Sequence, residues 1–357
     1  MPIRVCASAM VLVLALAGLG WPPSAFGQDK SAEGGAFRSQ VDLVSVYFTV
    51  RDDKKRLVSD LAQDSFSVSE DGHPQAIKFF AHHSDVVLNV GVLLDTGSNM
   101  SWILGEEAQA SKMFLRRVVR PTDLGFIVSY ALRVETVQLP TSDPVLLKEA
   151  AESIGKGAAI GLPERAPAEP SIWTGGTVGI NGRHPLDPNR ETHLYDAIRV
   201  STHRYLAGEV GRKAVVIVAL SGDSKSESTM ADALEALLEN DVIAYVLQIY
   251  DGSKRDNCDV LHIYQRDRSG EPLLKKLAEA TGGRMLEVRG IDKLEDALDE
   301  ISDELHHQYS LGYYPENKNW DGKFRKIQIS TGEKAFKVYA RKGYFAKPPA
   351  ANVAATQ

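Results

Sequence analysis

The residues best equipped for chemistry are Asp95, Thr96, Ser98 and Asn99. They follow the apolar run Val92-Leu93-Leu94 and precede a helical pattern. A carboxylate and several small oxygen-bearing side chains in one turn can do two things. They can supply part of the oxygen shell of a hard divalent cation such as Mg²⁺. Alternatively, the carboxylate can be one half of an acid–base pair that shares a proton and activates water. The rest of the chain must separate a binding protein from a hydrolase.

The bulk composition is that of an ordinary globular protein. Of 357 residues, 43% are hydrophobic and 25% charged, enough for one large core or two medium ones. A formal charge of −6 lacks the basic surplus of a nucleic-acid binder. The N-terminus has the form of an export signal. Arg4 precedes the apolar stretch Ala9–Leu19, and Ala25-Phe26-Gly27 offers small residues for cleavage after Gly27. No other segment approaches transmembrane length, so the remainder is expected to be exported and soluble, in the periplasm or the medium. Cleavage would remove Cys6 and leave Cys258 alone, which excludes an internal disulfide.

The patterning along the chain predicts an α/β body inside a β frame. After a linker over 28–40, residues 41–85 alternate in strand fashion, with Val44, Val46, Phe48 and Val50 on one face. From 86 to 305 strands and helices alternate, starting with the near-continuous apolar run Val86–Leu94 of a central parallel strand. Helices are expected at 101–118, 144–154, 193–207, 229–239, 271–280 and 292–305, and strands at 125–130, 214–220, 242–249 and 284–288. Residues 306–346 return to β, and 347–357 read as a disordered tail. The expected fold is a doubly wound, mostly parallel sheet inserted in a small discontinuous β-sandwich.

Two longer segments bear on the choice. Glu191-Thr192-His193-Leu194-Tyr195-Asp196-Ala197-Ile198 is followed by the apolar strand Arg212–Leu220 ending on Ser221. With the Asp95 turn, this order resembles a von Willebrand factor type A (VWA) domain. The flanks Asp64–Gly72 and Tyr309–Pro315 resemble segments found around that domain in exported bacterial VWA proteins. The resemblance spans 41–346 and implies a non-enzymatic protein that binds or adheres to another protein through its apical face.

It also implies a metal-ion-dependent adhesion site with Mg²⁺ as cofactor, in which Asp95 and Thr192 match the family's ligands and Ser98, Asn99 and Asp223 are candidates displaced from its pattern. Here the chain departs from the family pattern. The two loop-one serines fall on Gly97 and Asn99, and the usual Asp-Gly of the third loop reads Gly222-Asp223. Either the displaced residues bind a cation in altered geometry, or the site is degenerate and partners bind without metal. The alternative function is an envelope or secretion component that assembles through its sandwich.

A second resemblance is shorter. Leu93–Asn99 looks like the active-site loop of aspartic proteases, and Ala158-Ala159-Ile160-Gly161 could pass for its apolar partner segment. The chain holds only one Asp-Thr-Gly, so the second carboxylate would have to come from a dimer. Those enzymes are all-β, unlike the helical patterning of 101–305. The nine histidines show no zinc spacing. In the Gly/Pro-rich stretch before Thr192, Trp173, Arg183 and His184 are the expected partner contacts. Deleting 165–188 should abolish partner capture and leave the melting temperature nearly unchanged; a large loss of stability would contradict that assignment.

Overall fold

The computed structural model describes residues 43–83, 86–96, 104–130, 133–155, 192–219, 222–250, 270–289 and 293–347. Site residues Ser98, Asn99, Trp173, Arg183 and His184, together with Cys258, lie outside them. Among the described residues no helix is long and apolar enough to cross a membrane.

The chain starts with β1 (Val44–Arg51), β2 (Phe66–Glu70), β3 (His73–Gln75) and β4 (Ile77–His83). Asp71 and Gly72 join β2 to β3 with both residues at positive φ, the geometry that matches hairpin twist. The α/β body follows: β5 (Leu88–Asp95), α1 (Leu104–Val118), β6 (Leu124–Tyr130), β7 (Val134–Thr141) and α2 (Pro144–Gly155). It continues with α3 (Leu194–Ser201), β8 (Arg212–Ala219), α4 (Met230–Glu239) and β9 (Val242–Tyr250). It ends with α5 (Glu271–Thr281), β10 (Met285–Arg289) and α6 (Leu294–His306). Four strands complete the frame: β11 (Gln308–Tyr313), β12 (Phe324–Thr331), β13 (Lys337–Ala340) and β14 (Gly343–Phe345).

The central sheet has the order β10-β9-β8-β5-β6-β7, parallel except for β7. β5 is buried along its whole length, as its apolar run predicts. Its alternate residues feed two cores. Leu88, Val90, Val92 and Leu94 pack with α1, α2 and α6, whereas Leu93 packs with α3, α4 and α5. Connections run one way from β5 to β6 and the other way to β8, so the order reverses between β5 and β8. In doubly wound folds, ligands bind at that reversal, outside the carboxyl ends of the strands.

β7 was not foreseen. Pro140 lies in its sequence, which argues against a strand interior, but an edge strand tolerates proline. Helix α3 is also shorter than predicted, because Thr202–Leu206 continues it as a π-helical turn.

Two four-stranded antiparallel sheets, β13-β1-β11-β4 and β14-β12-β2-β3, share one apolar core that includes Phe48, Phe66, Tyr309 and Ile327. β4 and β11 are neighbours, with His83 paired to Gln308. The whole α/β body is therefore a connection between two hydrogen-bonded strands.

The other face of β1 meets this body through charges. Glu304 of α6 is 1% exposed and binds both Arg51 of β1 and Arg284 ahead of β10. Glu300 joins the same two arginines at 3.0 and 2.6 Å. The Tyr245 hydroxyl also bonds to Glu304, and burial followed by that carboxylate's charge pushes its pKa well up. Arg341 bridges the Ser45 carbonyl at 2.8 Å and Asp241. Removing one member of a buried ion cluster leaves its partners uncompensated. Glu304→Gln is expected to lower unfolding free energy by about 3 kcal/mol in a denaturant titration. A loss below about 1 kcal/mol would show that the cluster does not hold the two bodies together.

Candidate functional site

Asp95 ends β5 at the order reversal and is fully buried. Its backbone is paired with Tyr130 of β6, and the preceding Leu94 with Val218 of β8. Strand alternation puts its side chain on the face of Leu93, the face covered by α3. The Tyr130 hydroxyl donates to the Val218 carbonyl at 3.0 Å and so ties β6 to β8 across the end of β5. The Thr96 amide donates to the Tyr130 carbonyl at 3.1 Å. In the sequence Tyr130 reads only as the last residue of a strand.

The second and third segments of the site are bonded to each other. Thr192, just before α3, donates its hydroxyl to the Gly222 carbonyl at 3.0 Å and its amide to Ser224 Oγ at 2.9 Å. The amides of Ser224 and Lys225 return to the Thr192 carbonyl at 3.2 and 3.0 Å.

The first-turn amides of a helix have no partner in their own helix, and His193 at the N-cap of α3 provides none. The third loop supplies them instead. Asp223 Oδ1 accepts from the Tyr195 amide at 3.2 Å, and Ser226 Oγ accepts from the Asp196 amide at 3.1 Å. Ser226 in turn holds both Asp223 oxygens, through its hydroxyl at 2.6 Å and its amide at 3.2 Å.

Asp196 reciprocates by accepting the amides of Glu227 and Ser228 at 2.9 and 3.0 Å, and the Ser228 hydroxyl. Burial alone would raise the Asp196 carboxyl. The bonds from Ser228 and Glu227 outweigh it and hold the group below its ordinary value. Burial, and then the Asp223 charge, push the Tyr195 phenol up.

The three segments singled out by the VWA resemblance thus lie at the carboxyl edge of a doubly wound sheet, and the second and third are bonded to each other. The fold is a doubly wound, mostly parallel α/β sheet with flanking antiparallel sheets, as that resemblance implies. No protein-family model and no curated protein matches the chain. Among solved structures it is similar to a von Willebrand factor type A protein from Catenulispora acidiphila, at 11% identity and a TM-score of 0.43, over 85% of this chain and 75% of that one. It is similar to proximal thread matrix protein 1 from the mussel byssus, at 13% identity and a TM-score of 0.42. That match covers 63% of this chain and 49% of the other, so the chain spans about half the mussel protein's length. A third likeness is to BatB from Bacteroides thetaiotaomicron, at 18% identity and a TM-score of 0.41, over 61% of this chain and 97% of that one. One structure of the mussel protein has zinc in its adhesion-site motif. None of these likenesses bears on activity or partner.

Of the five candidate ligands, Asp95, Thr192 and Asp223 fall at this edge. In this structure Thr192 and Asp223 are already committed to hydrogen bonds. Both Asp223 oxygens are engaged by α3 and Ser226, and the Thr192 hydroxyl lies between Gly222 and Ser224. Mg²⁺ demands near-octahedral oxygens with lone pairs aimed at one point.

Because the folded Asp196 carboxyl lies below its unfolded value, its contribution is present above about pH 4 and lost as pH falls through the folded pKa. In acid unfolding titrations, Asp196→Asn should therefore show a shallower loss of stability than the wild type. An equally steep acid limb would contradict this.

Proposed function

We propose that this chain is an exported VWA-type protein that captures another protein on the carboxyl edge of its α/β sheet, with no catalytic step. The leader-like N-terminus supports export to the periplasm or beyond. The reciprocal bonding of 192–196 with 222–228 carries the binding reading. It presents Ser224, Lys225, Glu227 and Thr229 as exposed residues on a backbone fixed from both sides. A surface already ordered loses little conformational entropy on association.

The fold also counts against the aspartic-protease reading. Asp95 ends a parallel strand of an α/β sheet, whereas that chemistry is built on an all-β body with two paired loops. The envelope-assembly reading has one observation in its favour, a groove of about 560 Å³ in the sandwich lined by Asp64, Ser67, Pro74 and Ile77.

A photo-crosslinking residue at Glu227 should trap a protein adduct from the cell envelope of the source organism. The same residue at Val210, 86% exposed just before β8 at the opposite end of the sheet, should not. Equal trapping at both positions would contradict apical capture. Trapping only from a third probe at Asp64 would favour assembly through the sandwich.

A further inference from the structure

We infer that the third apical loop has become a hydrogen-bonded clasp for helix α3, so that this face is held in place without a divalent cation. Gly222 and Gly270 touch backbone to backbone. A Cβ on Gly222 would lie 2.7 Å from the Gly270 Cα, and one on Gly270 would lie 2.4 Å from the Gly222 Cα. Neither distance is one a real side chain tolerates, and Gly270 is fixed as the N-cap of α5. The family's Asp-Gly order would put its carboxylate at 222, where α5 begins. The carboxylate falls instead at 223 and points to α3.

There it acts on the helix end. Asp223 and Ser226 satisfy two orphan amides, those of Tyr195 and Asp196, and the negative charge opposes the positive end of the helix dipole. Asp196 closes the loop in the reverse direction on Glu227 and Ser228. Arg199, one turn further along α3, donates to Ser228 Oγ at 2.7 Å. A bound cation would join loops by drawing their oxygens to one point. In this chain amides and hydroxyls of one segment join the oxygens of the other. The clasp goes beyond the binding reading and does not depend on the partner.

The test is thermal melting with amide exchange on the full exported chain, in chelator and in excess Mg²⁺ or Mn²⁺. Wild type should melt at the same temperature in all three conditions. Asp223→Ala should lower the melting temperature by about 2–4 °C and speed exchange at the Tyr195 amide. Adding Ser226→Ala should lower it little further, because the two residues act as one unit. Gly270→Ala, which disturbs the contact without touching a polar group, should speed exchange at the same amide. The clasp is overturned if cations raise the wild-type melting temperature and Asp223→Ala removes that rise. It is equally overturned if Asp223→Ala leaves both the melting temperature and Tyr195 exchange unchanged. Failure to crosslink a partner would leave these readouts intact.

Discussion

The contact between Gly222 and Gly270 sets the path of the apical loop, and the rest of the site follows from it. With no side chain possible at either position, the loop after β8 runs close against the start of α5. The next residue, Asp223, then lies within reach of the first turn of α3. From that position the carboxylate, Ser226, Ser228 and Asp196 form a closed set of donors and acceptors. An isolated eight-residue helix is marginal, and α3 has no side-chain cap of its own. Its beginning is therefore defined by a loop from a different part of the chain. The same bonds that order the helix order the surface above it.

A different constraint governs how the two bodies are joined. The α/β body occupies the connection between paired strands β4 and β11. Loop-closure entropy grows only slowly with length, so an inserted domain is tolerated provided its own ends meet. The ends meet through charge. Arg212 donates from Nε and Nη2 to the Val86 carbonyl, at 3.1 and 3.0 Å, where the chain enters the sheet. It also donates to the Leu305 carbonyl, where the chain leaves. Glu304 and Glu300 link the neighbouring strand β1 to the same helix. Such buried pairs give little net stability over apolar packing, but separating them is costly. They fix one relative position of frame and body, and they do so at the end of the sheet opposite the site.

Much of this was legible in the residue pattern, for identifiable reasons. The run before Asp95 has the composition of a strand covered on both faces. The period-2 alternation of Val44, Val46, Phe48 and Val50 marked the apolar face of β1, and helical spacing located α4 and α5 to within a residue or two. The departure at Gly222-Asp223 was visible as well. Its cause was not, because Gly270 lies far along the chain and nothing local to 222 announces the contact. β7 escaped because proline argues against a strand interior and only topology reveals an edge. Tyr130 escaped because a core aromatic and a strut across three strands look alike in sequence. The roles of Ser226 and Ser228 are hidden for the same reason: serines in a polar loop carry no signal of what they cap.

The central claim is that hydrogen bonds, and not a cation, organise the apical face. Isothermal titration of the purified protein with Mn²⁺, beside its Asp95→Ala variant, tests it most directly. No saturable heat is expected in either protein. Saturable binding in the wild type that disappears in the variant would contradict it, and would mean that the displaced residues still gather around a metal.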